Sequence, residues 1–287
     1  AVWHRLSRLM TVSNHNQHQE RQQSQLGHKL NALITCTLDG LNKYSPIELR
    51  KTALAMAKII KAVRNSGNGR ETKYHQMFRD LLIGRETEKT EALFQAFAST
   101  AVPLLPQFDP QGYSNLAYAC AIAHAVPRFG KSTLLEHIAC TIAALKDLRM
   151  FDPQALSNIV WAYATSKVSS HQRLFDKVAV EVVAYRDLRS FKPQELSNMI
   201  WAFATAEISH PYLFETVADE VIAHRDLRSF KPQHLSNIVW AFATAQISDH
   251  RLFEKVAEEV TYRHLGSFNP QNLSNIVWAF AKAKISQ

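Results

Sequence analysis

One nine-residue phrase constrains this chain more than anything else in it. Leu-Ser-Asn-Ile-Val-Trp-Ala-Phe-Ala stands at 235–243 and at 273–281, with LSNIVWAYA at 156–164 and LSNMIWAFA at 196–204. The tryptophans, Trp161, Trp201, Trp240 and Trp278, are 40, 39 and 38 residues apart. Self-similarity at a fixed period of this size marks a solenoid, in which each unit buries its apolar face on its neighbours. Such an array escapes the size limit of a single core, which 287 residues would otherwise exceed.

The units run 151–190, 191–229 and 230–267, with a truncated copy at 268–287. An earlier copy at 108–150 keeps Phe108, Pro110, Gln111, Ser114 and Asn115 but has Tyr118 in place of Trp. A weaker one starts at Tyr44, with Pro46, Leu49, Ala55 and Ala57 at the matching offsets and an insertion in its second half. The expected organisation is a polar linker or disordered segment at 1–27, degenerate helical repeats at 28–107 and a regular array at 108–287. The chain has no initiator Met and stops in mid-repeat at Gln287, so a longer parent is expected.

Each unit reads as two helices, A and B. Pro153, Pro193, Pro232 and Pro270 suit a first helical turn, where the missing N–H is no loss. Phe151 and Leu156 flank that turn at the spacing of a hydrophobic staple. Helix A should end near Ser166, and Ser169, Ser209 or Ser248 offers an N-cap for helix B. Helix B carries Leu174, Phe175, Val178, Ala179, Val182 and Val183 at 3.6-residue spacing. No stretch alternates with period two over strand length. The fold class is therefore all-α: a right-handed α-α superhelix of helical-hairpin repeats of about 38–40 residues, A helices inside and B helices outside.

Composition narrows the functional classes. No apolar run is long enough to span a membrane. Three cysteines, Cys36, Cys120 and Cys140, form no CxxC and read as small buried thiols of a reducing compartment. The net charge of +8 is uneven: 15 Lys and Arg against 8 Asp and Glu over 1–107, and 18 against 17 over 108–287. A basic degenerate helix A at 44–61 carries Arg50, Lys51, Lys58 and Lys61. His15 and His18 lack further ligands at metal-site spacing, and residues 65–69 read as a plain turn. No metal or cofactor is expected. The stretch from Ala125 through Gly130-Lys131-Ser132 matches a relaxed phosphate-loop pattern, yet a helix rather than a strand precedes it, so it reads as an enlarged turn with a helix N-cap. The recurring Ser157, Ser197, Ser236 and Ser274 have no His at a constant offset and should pack or bond near the helix start. No enzyme activity and no small-molecule substrate are expected.

Numbering each unit from its Phe, positions 6, 9, 10, 13 and 14 share an apolar arc. Positions 4, 8 and 11 face away from it: Gln154, Asn158 and Trp161; Gln194, Asn198 and Trp201; Gln233, Asn237 and Trp240; then Asn275 and Trp278, with position 15 (Thr165, Thr205, Thr244) extending the row. This arc has two readings, a structural ladder or a concave RNA-binding surface with Trp for stacking and Asn and Gln for paired hydrogen bonds. Position 5 varies between fixed neighbours, as Ala155, Glu195, His234 and Asn272, the pattern modular base reading requires. Position 17 varies too: Lys167, Glu207, Gln246 and Lys284. Helix B is acidic outside, through Asp176, Glu181, Glu215, Asp219, Glu220, Glu254, Glu258 and Glu259. Its end is basic, with Arg149, Arg186, Arg189, Arg225, Arg228 and Arg263 expected either to satisfy helix dipoles or to line up as a phosphate-tracking rail.

Phe-x-Pro-Gln-x-Leu-Ser-Asn-Ile-Val-Trp-Ala-Phe-Ala on a unit of this length resembles the octotricopeptide-repeat proteins, strongly over 151–287, fairly over 108–150 and weakly over 44–107. The resemblance implies single-stranded RNA binding, a chloroplast or mitochondrial address, and a part in transcript stability, processing or translation. The alternative is a protein- or peptide-binding scaffold, since the Asn/Trp ladder is also similar to that of armadillo repeats, although the unit here has two helices rather than three.

Overall fold

The computed structural model describes residues 20–65, 79–83, 88–168 and 171–283. The expected linker lies outside the described residues up to position 19, and so do Ser169, Lys284 and the 65–69 turn beyond Asn65. From Glu20, inside the expected linker, the chain is helical: α1 spans Glu20–Gly40. Two compact units follow one another, residues 1–141 and 142–287.

In the first unit, α2 (Pro46–Asn65) and α3 (Glu88–Ala101) are the A and B helices of the degenerate copy, and α4 (Pro110–Ala123) and α5 (Leu134–Ala144) those of the next. A helix thus begins two residues after Tyr44, at the Pro46 of the weak match. Ser45 opens α2 through a reciprocal cap: its hydroxyl accepts from Glu48 N at 3.4 Å, and the Glu48 carboxylate accepts from Ser45 N at 2.9 Å. Leu49, Ala53, Met56, Ile60 and Val63 are fully buried where α2 packs along α4. The basic surface expected of α2 loses Arg50, which is only 8 % exposed. It stands at the position of the repeated Ser, donates to Gln111 Oε1 at 2.6 Å and pairs with Asp109 at 3.3 Å. Between α4 and α5 lie two paired residues on each side of a turn, β1 (Arg128–Phe129) and β2 (Ser132–Thr133). They are the β structure among the described residues, and the fold is an all-α helical-repeat solenoid.

The second unit contains α6 (Pro153–Ser166), α7 (Gln172–Tyr185), α8 (Pro193–Thr205), α9 (Pro211–His224), α10 (Pro232–Thr244), α11 (His250–Tyr262) and α12 (Pro270–Lys282). Each A helix has its Pro in the first turn, as expected. The B helices start one residue later than the serines suggest: His210 and Asp249, not Ser209 and Ser248, occupy the N-caps of α9 and α11. Asp249 accepts from Leu252 N at 3.2 Å, satisfying a donor that the helix itself leaves unpaired.

Successive A helices, α6, α8, α10 and α12, pack along their lengths, whereas the B helices α7, α9 and α11 touch one another sparingly. Small side chains permit that close approach. Ala162, Ala202, Ala241 and Ala279 at position 12 are fully buried, and Ser157, Ser197 and Ser236 at position 7 are at most 1 % exposed. The serine hydroxyls of Ser197 and Ser236 donate to Gln194 O and Gln233 O at 3.1 and 3.0 Å, the local role expected of them. Each B helix locks onto the next A helix by a T-shaped ring pair: Phe175–Phe203, Phe214–Phe242 and Phe253–Phe280, with centroids 4.9, 5.1 and 5.1 Å apart. Such pairs contribute roughly 0.5–1.5 kcal/mol each beyond their area burial. Of the three cysteines only Cys120 is buried, and burial pushes its thiol up to about 12; Cys36 and Cys140 are exposed.

Candidate nucleic-acid interface

Within the second unit, α8 and α10 are each buried on three sides, by the following B helix and by the A helices before and after. What remains open is the arc at positions 4, 8, 11 and 15. Gln154, Gln194 and Gln233 are exposed; Asn158, Asn198, Asn237 and Asn275 are half-buried. Trp161, Trp201 and Trp240 are half-buried as well, and Trp278 is exposed. Trp201 and Trp240 have centroids 6.3 Å apart at 32°, and Trp240 and Trp278 repeat this at 6.3 Å and 33°. These distances fall within the range of interacting aromatic pairs. The tryptophans thus form a structural ladder with one open edge. Beside it, the side-chain amides of Gln194, Asn198, Gln233 and Asn237 make no hydrogen bond to protein among the described residues.

Position 5 is not a reading position. Ala155, Glu195, His234 and Asn272 are 4, 8, 8 and 6 % exposed. Their variation follows the chemistry of the N-cap at position 2. Asp152 caps α6 itself, accepting from Ala155 N at 2.6 Å, so Ala suffices at position 5. Lys192 and Lys231 have no side-chain acceptor. There the position-5 side chain reaches back instead: Glu195 Oε2 accepts from Lys192 N at 2.8 Å, and His234 Nδ1 from Lys231 N at 3.1 Å. Asn269 and Asn272 complete both halves of the box at 2.8 and 3.4 Å, and Asn272 also donates to Ser236 Oγ of the preceding repeat at 3.3 Å. Burial pushes the His234 imidazole down to about 4, with the Lys231 charge adding to the effect. The signal was in the sequence: a cap residue without an acceptor calls for one three residues on.

The arginines divide into two rows. Arg186, Arg225 and Arg263 hold Glu181, Glu220 and Glu259 at 2.8, 2.6 and 2.6 Å and reach the preceding repeat's backbone. Arg186 donates to Leu148 O at 2.8 Å, Arg225 to Leu188 O and Phe191 O at 2.6 and 3.0 Å, and Arg263 to Leu227 O and Phe230 O at 2.7 Å each. These three are corrections to the phosphate rail: the guanidinium's rigid fork of donors joins one repeat to the next. Glu181 and Glu220, expected on the acidic outer face, are 3 and 7 % exposed and belong to the same joints. The other row is open. Arg149, Arg189 and Arg228 have side chains 70, 68 and 82 % exposed beside Asp147, Asp187 and Asp226. Arg149 lies over the Tyr185 ring at 5.6 Å, and Arg228 and Tyr262 line one shallow recess with Glu259 and Arg263.

The Gly130-Lys131-Ser132 loop is a hairpin turn with Gly130 at φ 63°. Thr133 and Glu136 form a capping box that opens α5, Thr133 N donating to the Glu136 carboxylate at 2.6 Å. Leu134 N is taken by Pro127 O at 2.8 Å. The two backbone donors at the start of α5, Thr133 N and Leu134 N, are thus occupied by protein. Among the described residues no group of His, Cys, Asp and Glu is placed to hold a metal, and no helix is long and apolar enough to cross a membrane.

A family model, described as RNA-editing substrate-binding complex 6 protein, matches residues 138–287, just over half of the chain. The chain belongs to this family. The match spans the joints, the tryptophan ladder and the open arginine row of the second unit. It agrees with the coarser content of the octotricopeptide resemblance, an RNA-associated helical-repeat protein. No curated protein matches the chain.

Proposed function

We propose that the second unit binds single-stranded RNA along the open arc of its A helices and serves in post-transcriptional control within an organelle. The observation that carries this reading is the tryptophan ladder: one partly or fully exposed indole per repeat, flanked at Trp201 and Trp240 by Asn and Gln amides without a protein hydrogen bond among the described residues. Indole faces stack on any base, and amides offer both a donor and an acceptor to a base edge or ribose. The family description, which names an RNA-editing complex, supports the same class of ligand. Close A–A packing against sparse B–B contact favours a stack that curves toward its A helices, which would put the arc on the inner side. Arg149, Arg189 and Arg228 are the phosphate contacts in this proposal, and their acidic neighbours keep the non-specific affinity modest. The array is a binding surface, not a catalyst, and the organellar address rests on the octotricopeptide resemblance.

The test is retention of a labelled random single-stranded RNA pool by the full chain, with an RNase control and a salt titration. We expect retention that weakens with salt, and loss of about 1–3 kcal/mol for each of Trp201→Leu and Trp240→Leu irrespective of sequence. Retention of a peptide library with none of RNA would sink the proposal in favour of a protein scaffold.

A further inference from the structure

With position 5 buried and position 2 taken up by the helix cap, position 17 remains a variable polar position at the surface of helix A. Their backbone is unusual. Lys167, Glu207 and Gln246 have φ of 50°, 55° and 59°, the left-handed region. The reason is the helix stop. Glu207 N donates to Ala204 O and Ile208 N to Phe203 O at 3.2 and 3.1 Å; Gln246 N and Ile247 N repeat this to Ala243 O and Phe242 O at 3.3 and 3.0 Å. This is the reverse turn that closes a helix with its next-to-outer residue left-handed, a place that Gly fills without steric cost and Asn tolerates. In the three described repeats the chain instead places a long polar side chain there, Lys, Glu and Gln in turn. His124 holds the same place in the first unit, at φ 50°.

A structural purpose for these side chains is not evident. All three are exposed, and none makes a hydrogen bond or ion pair to protein among the described residues. They stand just beyond the C-terminal end of the open arc, two residues past Thr165, Thr205 and Thr244. Those three threonine hydroxyls are themselves buried without a protein hydrogen-bond partner among the described residues, in three successive repeats. A left-handed backbone at the same surface position in three successive repeats, where Gly would relieve it, is an outlier of the kind that clusters at functional sites.

We infer that Lys167, Glu207 and Gln246 are the specificity-determining residues of the RNA-binding arc, each reading one base edge while the tryptophan ladder holds the strand; the inference rests on the RNA-binding proposal. The three side chains differ in the way base discrimination needs. Lys only donates and favours the acceptor edges of G or U. Glu only accepts and favours the amino groups of C or A. Gln does both and favours A.

The full chain, a Glu207→Gln/Gln246→Glu exchange and a Lys167→Gly/Glu207→Gly/Gln246→Gly variant are each selected against a random RNA pool. The parent should enrich a short motif, and the exchange should alter preference at two neighbouring nucleotides by roughly 5- to 100-fold, the range of one good base-edge contact. The glycine variant should lose the parent's preference for its motif and hold the unselected pool within about threefold of the parent's affinity for that pool, because the stacks and phosphate contacts remain. It should also melt higher, by roughly 2–4 °C per relieved residue, so failure to fold does not confound it. An exchange that enriches the parent's motif, or a glycine variant that keeps it, overturns the inference. A parent that retains RNA but enriches nothing also overturns it and leaves RNA binding intact. A parent that retains no RNA overturns both.

Discussion

Changing Arg225 to Ala tests the division of the arginines into joints and open contacts. In the structure the guanidinium holds Glu220 at 2.6 Å and donates to Leu188 O and Phe191 O at 2.6 and 3.0 Å. The two side chains are only 16 and 7 % exposed. Truncation leaves the Glu220 carboxylate buried without a counter-charge and Phe191 O without its donor, while Leu188 O keeps only the bond from Phe191 N at 2.9 Å. Breaking a buried pair from one side costs about 3–5 kcal/mol, far more than the pair contributes in net terms, because the remaining charge has lost its solvation. The joint ties α9 to the turn at Leu188–Ser190 before α8, so the loss falls on the coupling between repeats. In a linear array that coupling is what makes neighbouring repeats unfold together.

Urea unfolding followed by circular dichroism should therefore show a lower midpoint and a broader transition for Arg225→Ala. Arg228→Ala, whose side chain is 82 % exposed, should leave the curve unchanged. Replacing both partners, Glu220→Met with Arg225→Met, should recover most of the loss, since no charge is stranded and the volume is kept. The RNA readout runs the other way: Arg228→Gln should flatten the salt dependence by roughly 0.7 per lost phosphate contact, while Arg225→Gln should not. Equal, small effects of Arg225→Ala and Arg228→Ala on unfolding would refute the argument and return Arg225 to the phosphate rail.

Protonation of His234 should destabilise the array in acid. Its folded value is pushed down to about 4 while the unfolded chain takes the ordinary 6.5, so protons favour unfolding: stability falls as pH drops from 6.5 to 4 and then levels, by up to about 3 kcal/mol. His234→Gln, measured by urea unfolding across that window, should remove this part of the slope, and an unaltered slope would dismiss the assignment. Glu195→Ala should lower the unfolding midpoint by about 1 kcal/mol, because Lys192 cannot replace the lost cap; Ala155→Glu should gain little, because Asp152 already caps its helix. Phe242→Leu should cost about 1 kcal/mol or more in the same assay through the lost ring contact with Phe214, and no change would mean that B–A ring pairs are incidental.

The period of the array was legible because four copies of one phrase share every constraint: Pro in the first turn, small residues at positions 7 and 12, an apolar arc at 6, 9, 10, 13 and 14. Each of these is a local rule that tertiary structure had no reason to override. The arc at positions 4, 8, 11 and 15 was legible for the same reason, since it is what an amphipathic helix leaves when its neighbours are placed. Burial of the charged residues was not. Periodicity places Glu181 and Glu220 on helix B, but only the chain path shows that the preceding repeat's turn arrives there and brings carbonyls for the arginine between them.

Position 5 shows why variation in a repeat is an incomplete guide to function. A position drifts when nothing constrains it, when each repeat binds something different, or when its partner drifts too. The third applies here: Asp with Ala, Lys with Glu, Lys with His and Asn with Asn are four solutions to one requirement, an acceptor for the unpaired N–H groups that open the helix. Position 17 has no such partner. Its backbone is fixed by the helix stop, its side chain makes no hydrogen bond or ion pair to protein among the described residues, and the residue that would sit there most comfortably is absent from the described repeats. Constraint on the backbone together with freedom of the side chain is what a reading position needs, for it holds the tip in place while letting its chemistry change.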